Sequence, residues 1–301
     1  MESVKDIKKI DIHAHATAFP EYYPKLFKGE RYMSVTELIE EMDAMGIEKS
    51  VLLPLTTAEG QFTPLSTEAT KFLADQHPDR FVWFCNVDPR ARNNTADYDL
   101  GLLLSWYKEL GAKGCGEITA NMYADDPKID NLFSHCEELD MPIIIHIAPI
   151  LGRSYGIVDE LGLPRLEKML KKHPNLKVLG HSQPFWAEMS ADITPETRGQ
   201  YPKGKVTEGR IAQLMREYGN LYCDISAGSG ANAFMRDPEY AAKFMEEFAD
   251  RMFYGCDQCL KSNKESYEFN AFLEKMLDDG MLSGENYGKI VRYNAEKLLG
   301  L

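Results

Sequence analysis

Residues 129–147 read IDNLFSHCEELDMPIIIHI, one helix followed by one strand. The first half, 129–139, reads as a helix on apolar spacing of three and four, the spacing seen most plainly at Leu38, Ile39, Met42 and Met45 of an earlier helix. The second half, Pro142 to Ile147, is a short run of β-branched residues that fits a strand. The same unit repeats in both directions. Strands are expected near residues 7–13, 49–54, 81–87, 112–118, 142–147, 176–181, 221–225 and 251–256. Helices are expected near 36–45, 66–76, 98–110, 129–139, 159–172, 207–218, 238–248 and 266–279, with a last one at 285–299. Start and stop signals agree: Thr36 is placed to cap the first helix, Gly46 and Gly111 follow helix ends, and His173–Pro174 closes another. Strands separated by helices must pair in parallel through right-handed crossovers. Eight such units point to a (β/α)8 TIM barrel, a single domain over residues 1–301. Alternation alone does not show closure, so a doubly wound open sheet is the alternative.

Composition narrows the function classes. The 301 residues carry a formal charge of −13, which repels phosphate backbones and anionic membranes and argues against nucleic-acid and membrane partners. The longest apolar stretch, 141–151, is broken by His146 and two prolines and is too short to span a bilayer. The charged N-terminus lacks the apolar core of a secretion signal, and six cysteines are too sparse for a disulfide framework. A cytoplasmic protein is expected. Two connections stand out, 56–64 and 185–205; the second starts with Pro184, Phe185 and Trp186, favours a docked segment, and is expected to act as a lid.

The chemistry gathers where strands end. In Ile10–Asp11–Ile12–His13–Ala14–His15 two histidines two residues apart point to one face of a strand, where both can meet one metal ion. Glu117, His146, His181 and Asp257 end the fourth, fifth, sixth and eighth expected strands. His77, His135 and His173 lie on or just after helices, where a solvated ring is expected. Imidazoles and carboxylates converging on one end of a barrel suit Zn2+, with Fe2+, Mn2+ or Co2+ also fitting. Glu117 can bridge two cations, with His146 and His181 completing the second site, or can pair with a nearby cationic side chain instead. Arg153 and Trp186 are candidates for binding substrate, since an arginine near a metal suits a substrate carboxylate. Gly228–Ser229–Gly230–Ala231–Asn232–Ala233 matches a loose dinucleotide fingerprint, but too little chain follows for a nucleotide-binding sheet. It reads as an anion-holding loop or a bare turn. The spacing of Cys256 and Cys259 reads as structural.

This set resembles the amidohydrolase superfamily, in particular its amidohydrolase family 2 branch of metal-dependent TIM-barrel hydrolases. The likeness runs through 11–15, 77–81 and 86–89, 141–146, 173–178, 180–181 and 251–257. It implies that His13, His15 and Asp257 bind the more buried metal, and that His146 and His181 are second-metal ligands or, for His181, a catalytic side chain. Two departures stand: Cys256 where serine is common, and Glu117 where many members of the branch have no carboxylate. The expected activity is hydrolysis of a small organic amide, ester or lactone by metal-activated water, with Asp257 moving the proton and His181 stabilising the oxyanion. The alternative is a metal-dependent non-oxidative decarboxylase or hydratase acting on a small carboxylic acid; a non-catalytic binding barrel ranks below both. The resemblance leaves a homo-oligomer open, since members are often dimers.

Overall fold

Because a helix separates each apolar run from the next, the runs cannot form hairpins and pair in parallel instead. The computed structural model describes residues 4–25, 29–60 and 65–301. In chain order the strands are β1 (Lys9–Ala14), β2 (Ile47–Leu52), β3 (Phe81–Trp83), β4 (Cys115–Ile118), β5 (Ile143–Ala148), β6 (Ile157–Val158), β7 (Val178–His181), β8 (Leu221–Asp224) and β9 (Met252–Phe253). One ladder runs β1-β2-β3 and another β4-β5-β7-β8-β9, with the two-residue β6 beside β5. Backbone bonds across two seams join them. At the first, Lys113 N donates to Trp83 O (2.9 Å), Cys85 N to Gly114 O (2.9 Å) and Gly116 N to Cys85 O (2.8 Å). At the second, Ile12 N donates to Tyr254 O (3.0 Å), Asp257 N to His13 O (2.8 Å) and His15 N to Gln258 O (3.1 Å). The ring is therefore closed, and the open-sheet alternative falls.

Ile10, Ile12, Val51, Leu53, Phe84, Ile144, Leu179 and Phe253 form one buried cluster. Ile144 and Leu179 lie two residues before His146 and His181 on the same strand faces, so this apolar layer floors the ends that carry chemistry. A larger cluster packs strands against the surrounding helices.

Several local expectations shift. The cap of the helix Val35–Met45 is Ser34, not Thr36: Ser34 Oγ accepts from Glu37 N, and the Glu37 carboxylate accepts from Ser34 N. That reciprocal pair satisfies two orphan donors, which Thr36 could not do from inside the helix. The expected helix at 159–172 begins later, at Pro164, because Asp159 turns back to accept from Arg165 N and Leu166 N. The last helix is divided into Gly284–Gly288, a π turn at Lys289–Tyr293, and Asn294–Leu299. The glycine-rich 228–233 segment is helical, within Ala227–Met235; a Cβ on Gly230 would collide with the carbonyl of Ile225. Glycine there permits close helix–strand approach, which replaces the anion-loop reading.

The 185–205 connection is docked, as its aromatic start suggested. Phe185 and Trp186 are buried in the helix Gln183–Ala187, and Ser190 bridges Glu208. Arg198 is 2% exposed; its Nε lies 3.0 Å from Glu188 Oε1 and its Nη1 donates to Asp159 O (2.5 Å). The aromatic pair thus faces core packing and not the barrel mouth, which corrects its assignment as the closing edge of a lid. The connection at 56–64 falls partly on 61–64, outside the described residues.

Candidate metal centre

The strands bring all six expected ligands to one end of the ring. His13 Nε2 lies 3.1 Å from His15 Nε2, 3.6 Å from Glu117 Oε2 and 3.5 Å from Asp257 Oδ1. His15 Nε2 lies 3.5 Å from Glu117 Oε2 and 3.4 Å from Asp257 Oδ1. Glu117 presents its other oxygen, Oε1, to His146 Nδ1 at 2.6 Å, and His181 Nε2 is 3.7 Å from Asp257 Oδ2. Three overlapping triads have ligand atoms within 4.8 Å of one another: His13–His15–Glu117, His13–His181–Asp257 and Glu117–His146–His181. All six side chains are buried or nearly so, the most accessible being Asp257 at 26%.

A surrounding set of acceptors aims three of the rings. His13 Nδ1 is 2.6 Å from Asp224 Oδ2, and His15 Nδ1 is 2.9 Å from Leu53 O. His181 Nδ1 is 3.1 Å from Ser226 Oγ and 3.3 Å from Asp224 Oδ2. With Nδ1 engaged outward, each Nε2 faces the centre. Asp224 is the functional candidate that sequence reading passed over; its one signal was its place at the end of the seventh strand of the ring. Asp11 serves the frame: Oδ1 accepts from His13 N and Cys256 N, each at 2.9 Å, and Oδ2 from Ser50 Oγ at 3.0 Å. Its burial pushes its pKa up to about 7 against those bonds.

The centre is built to hold positive charge. Burial pushes His15 down, but the Asp257 and Glu117 carboxylates outweigh it and raise its pKa to about 9. Burial likewise lowers His13, yet Asp257 and Asp224 carry it well above the imidazole range. Burial raises Glu117 and Asp257, but their histidine neighbours hold both below the carboxylate range. Burial dominates at His181 and lowers it. Inward imidazole nitrogens with carboxylate oxygens are the donor set of a borderline divalent cation, which would replace the protons that hold His13 and His15 positive. The residues fit such an ion.

The other expected residues lie apart. Trp186 is 2% exposed, packs edge-on against Phe185 and Phe234, and donates from Nε1 to Asp224 O (3.0 Å). Its expected contact with substrate is corrected: it braces Asp224 from behind. Arg153 is exposed, with φ +59°, and stands outside the cluster. Two residues on, Tyr155 lays its ring 4.4 Å from that of His146. Its loop is strapped by Asn121, which accepts from Gly152 N and donates to Ile150 O and Gly156 O. Arg90 is fully engaged by Glu59 and Asp88. His173 is buried, not solvated; it sits between Asp130 (2.9 Å) and Glu137 (3.3 Å), because the helix it follows packs beside theirs.

A closed parallel barrel with imidazoles and carboxylates gathered at its strand ends is the arrangement in which TIM-barrel enzymes place their active sites. The amidohydrolase family model matches residues 10–301, and the chain belongs to that family. Among solved structures, an uncharacterised TIM-barrel protein from Bordetella bronchiseptica is 18% identical with a TM-score of 0.68, covering 98% of this chain and 99% of that one. A probable 2-pyrone-4,6-dicarboxylic acid hydrolase from Acinetobacter baumannii, with citric acid bound, is 15% identical (TM-score 0.61; 98% and 100% covered). The 5-carboxyvanillate decarboxylase of Novosphingobium aromaticivorans, complexed with manganese and 4-hydroxy-3-methoxy-5-nitrobenzoic acid, is 19% identical (TM-score 0.60; 99% and 97% covered). At these identities the likeness is one of fold. No curated protein matches the chain. Among the described residues no helix is long and apolar enough to cross a membrane.

Proposed function

We propose that this chain is a metal-dependent hydrolase that cleaves a small organic amide, ester or lactone. The observation that carries this reading is the inward aim of three Nε2 atoms beside Glu117 and Asp257. His13, His15 and Asp257, with Glu117 Oε2, hold the first ion, zinc by preference, although manganese, iron and cobalt suit the same donors. Glu117 Oε1, His146 and His181 hold a second when two are bound. When bound, a divalent cation supplies Lewis acidity, polarising a carbonyl and acidifying a water molecule. Asp257 Oδ2, the oxygen turned toward His181, takes the proton from the attacking water and returns it to the leaving group. His181 Nε2 faces the same space and steadies the developing oxyanion. Tyr155, seated on His146, walls the mouth, and Arg153 on the same loop meets a substrate carboxylate.

A second reading, non-oxidative decarboxylation or hydration of a small carboxylic acid, is favoured by the manganese-bound decarboxylase of the same fold. Protein purified without chelators, counted for metal and assayed on lactones, esters, amides and aromatic or dienoic acids separates the two. Chelator-sensitive hydrolysis supports the first; CO2 release without hydrolysis transfers the assignment to the second. A fully loaded protein that turns over none of them would sink both and leave a binding barrel.

A further inference from the structure

Asp224 is a buried carboxylate with no part in the chemistry above. It is 0% exposed and ends β8. Its Oδ2 is hydrogen-bonded to His13 Nδ1 (2.6 Å) and stands 3.3 Å from His181 Nδ1, whose hydrogen-bond partner is Ser226 Oγ (3.1 Å); the two ring centroids are 4.6 Å apart. The rings come from β1 and β7, which do not neighbour each other in the ring of strands. The carboxylate itself is held rigidly. Oδ1 accepts from Ser226 N (3.0 Å), and the main-chain carbonyl accepts from Trp186 Nε1 (3.0 Å). Gly255 leaves the room: a Cβ there would stand 2.9 Å from Oδ1 and 2.8 Å from Ser226 Cβ.

We propose that Asp224 is a positioning residue that fixes the hydrogen on Nδ1 of His13, so that the Nε2 of that ring opens into the cation site. Carboxylates behind ligand imidazoles orient rings and set which nitrogen is free. The 2.6 Å bond from Asp224 Oδ2 reaches His13 from a strand that does not neighbour β1. The Asn variant is therefore informative. Ser226 N–H needs an acceptor at the Oδ1 position, so the carboxamide oxygen stays there. The NH2 group then falls where Oδ2 was, pointing a donor at His13 Nδ1. The His13 ring must then accept at Nδ1 and carry its hydrogen on Nε2, inside the cation site. An arrangement in which Asp224 only filled space would tolerate Asn, which has the same shape.

Two measurements test this, and only the second rests on the metal-centre reading. In nitrogen-resolved NMR of the histidine rings of metal-free protein, recorded at a pH high enough for His13 to be neutral, wild type should keep its hydrogen on Nδ1 of His13, and Asp224→Asn should move it to Nε2. Titrated with Zn2+ alone, the Asn variant should bind about 10–100-fold more weakly, the usual effect of removing such an orienting group. A bare Nδ1 on neutral His13 in the wild type would overturn the proposal, and so would Zn2+ affinity unchanged by Asp224→Asn. Should the variant not fold, the wild-type spectra decide alone. Wild-type protein that does not bind Zn2+ would instead strike at the metal-centre reading, and the ring spectra would still judge Asp224.

Discussion

Replacing Asp257 with asparagine separates a metal ligand from a proton carrier. The residue has φ +50°, in the left-handed region, and its N–H donates to His13 O at 2.8 Å across the seam that closes the barrel. Asparagine tolerates that conformation, whereas alanine would cost roughly 1–2 kcal/mol of strain. The Asn variant should therefore keep its fold, and its Tm checks this. Oδ1 lies 3.5 Å and 3.4 Å from the inward nitrogens of His13 and His15, while Oδ2 turns toward His181. One oxygen can remain a ligand after the substitution, so metal should bind more weakly but still load at excess. The capacity to accept a proton is gone. Removing a group of that kind costs at least about 10²-fold in kcat, about 2.7 kcal/mol of barrier. The assay is turnover of the best substrate from the panel, at saturating metal, with metal content measured on the same sample. Activity that returns to the wild-type level once metal is restored would make Asp257 a ligand only and refute the proton shuttle.

Glu117→Gln puts an amide between His146 Nδ1 and the His13–His15 pair, and metal content should fall together with activity; a variant with full metal and full turnover would remove the bridging role. Arg198→Ala leaves the carboxylate of Glu188 buried and without its cation, a change expected to cost about 3–5 kcal/mol; an unchanged denaturation midpoint would show that the 185–205 connection is not pinned there. Burial raises the Asp159 pKa from 3.8 to about 6 despite three backbone donors. The folded state thus holds that proton more tightly than the unfolded chain. The corresponding stability is present below about pH 4 and lost as pH rises through 6, about 3 kcal/mol in all. Urea midpoints from pH 4 to 7 should fall in the wild type relative to Asp159→Asn, and parallel profiles would contradict the assignment.

The alternation of helices and strands was legible because it is local: Ile129, Leu132, Phe133 and Cys136 show one face within three turns, and Ile143 to Ile147 show a strand within six residues. Strand-end histidines and carboxylates were legible for the same reason, since position along a strand sets both depth in the ring and side-chain direction. The Ser34–Glu37 capping box is local too: a serine followed three residues later by glutamate is a start signal that needs no tertiary contact. Periodicity says which residues share a face, but not what that face meets. Closure depended on bonds such as Ile12 N to Tyr254 O, between the first and last strands, that no local pattern encodes. Trp186 looked like a residue of the mouth until the helix Gln183–Ala187 turned it against Phe234 and beneath Asp224. Asp224 itself is separated from His13 by 211 residues. Only the closed ring brings its carboxylate behind two histidines, because curling the sheet gives strands far apart in the chain a common interior.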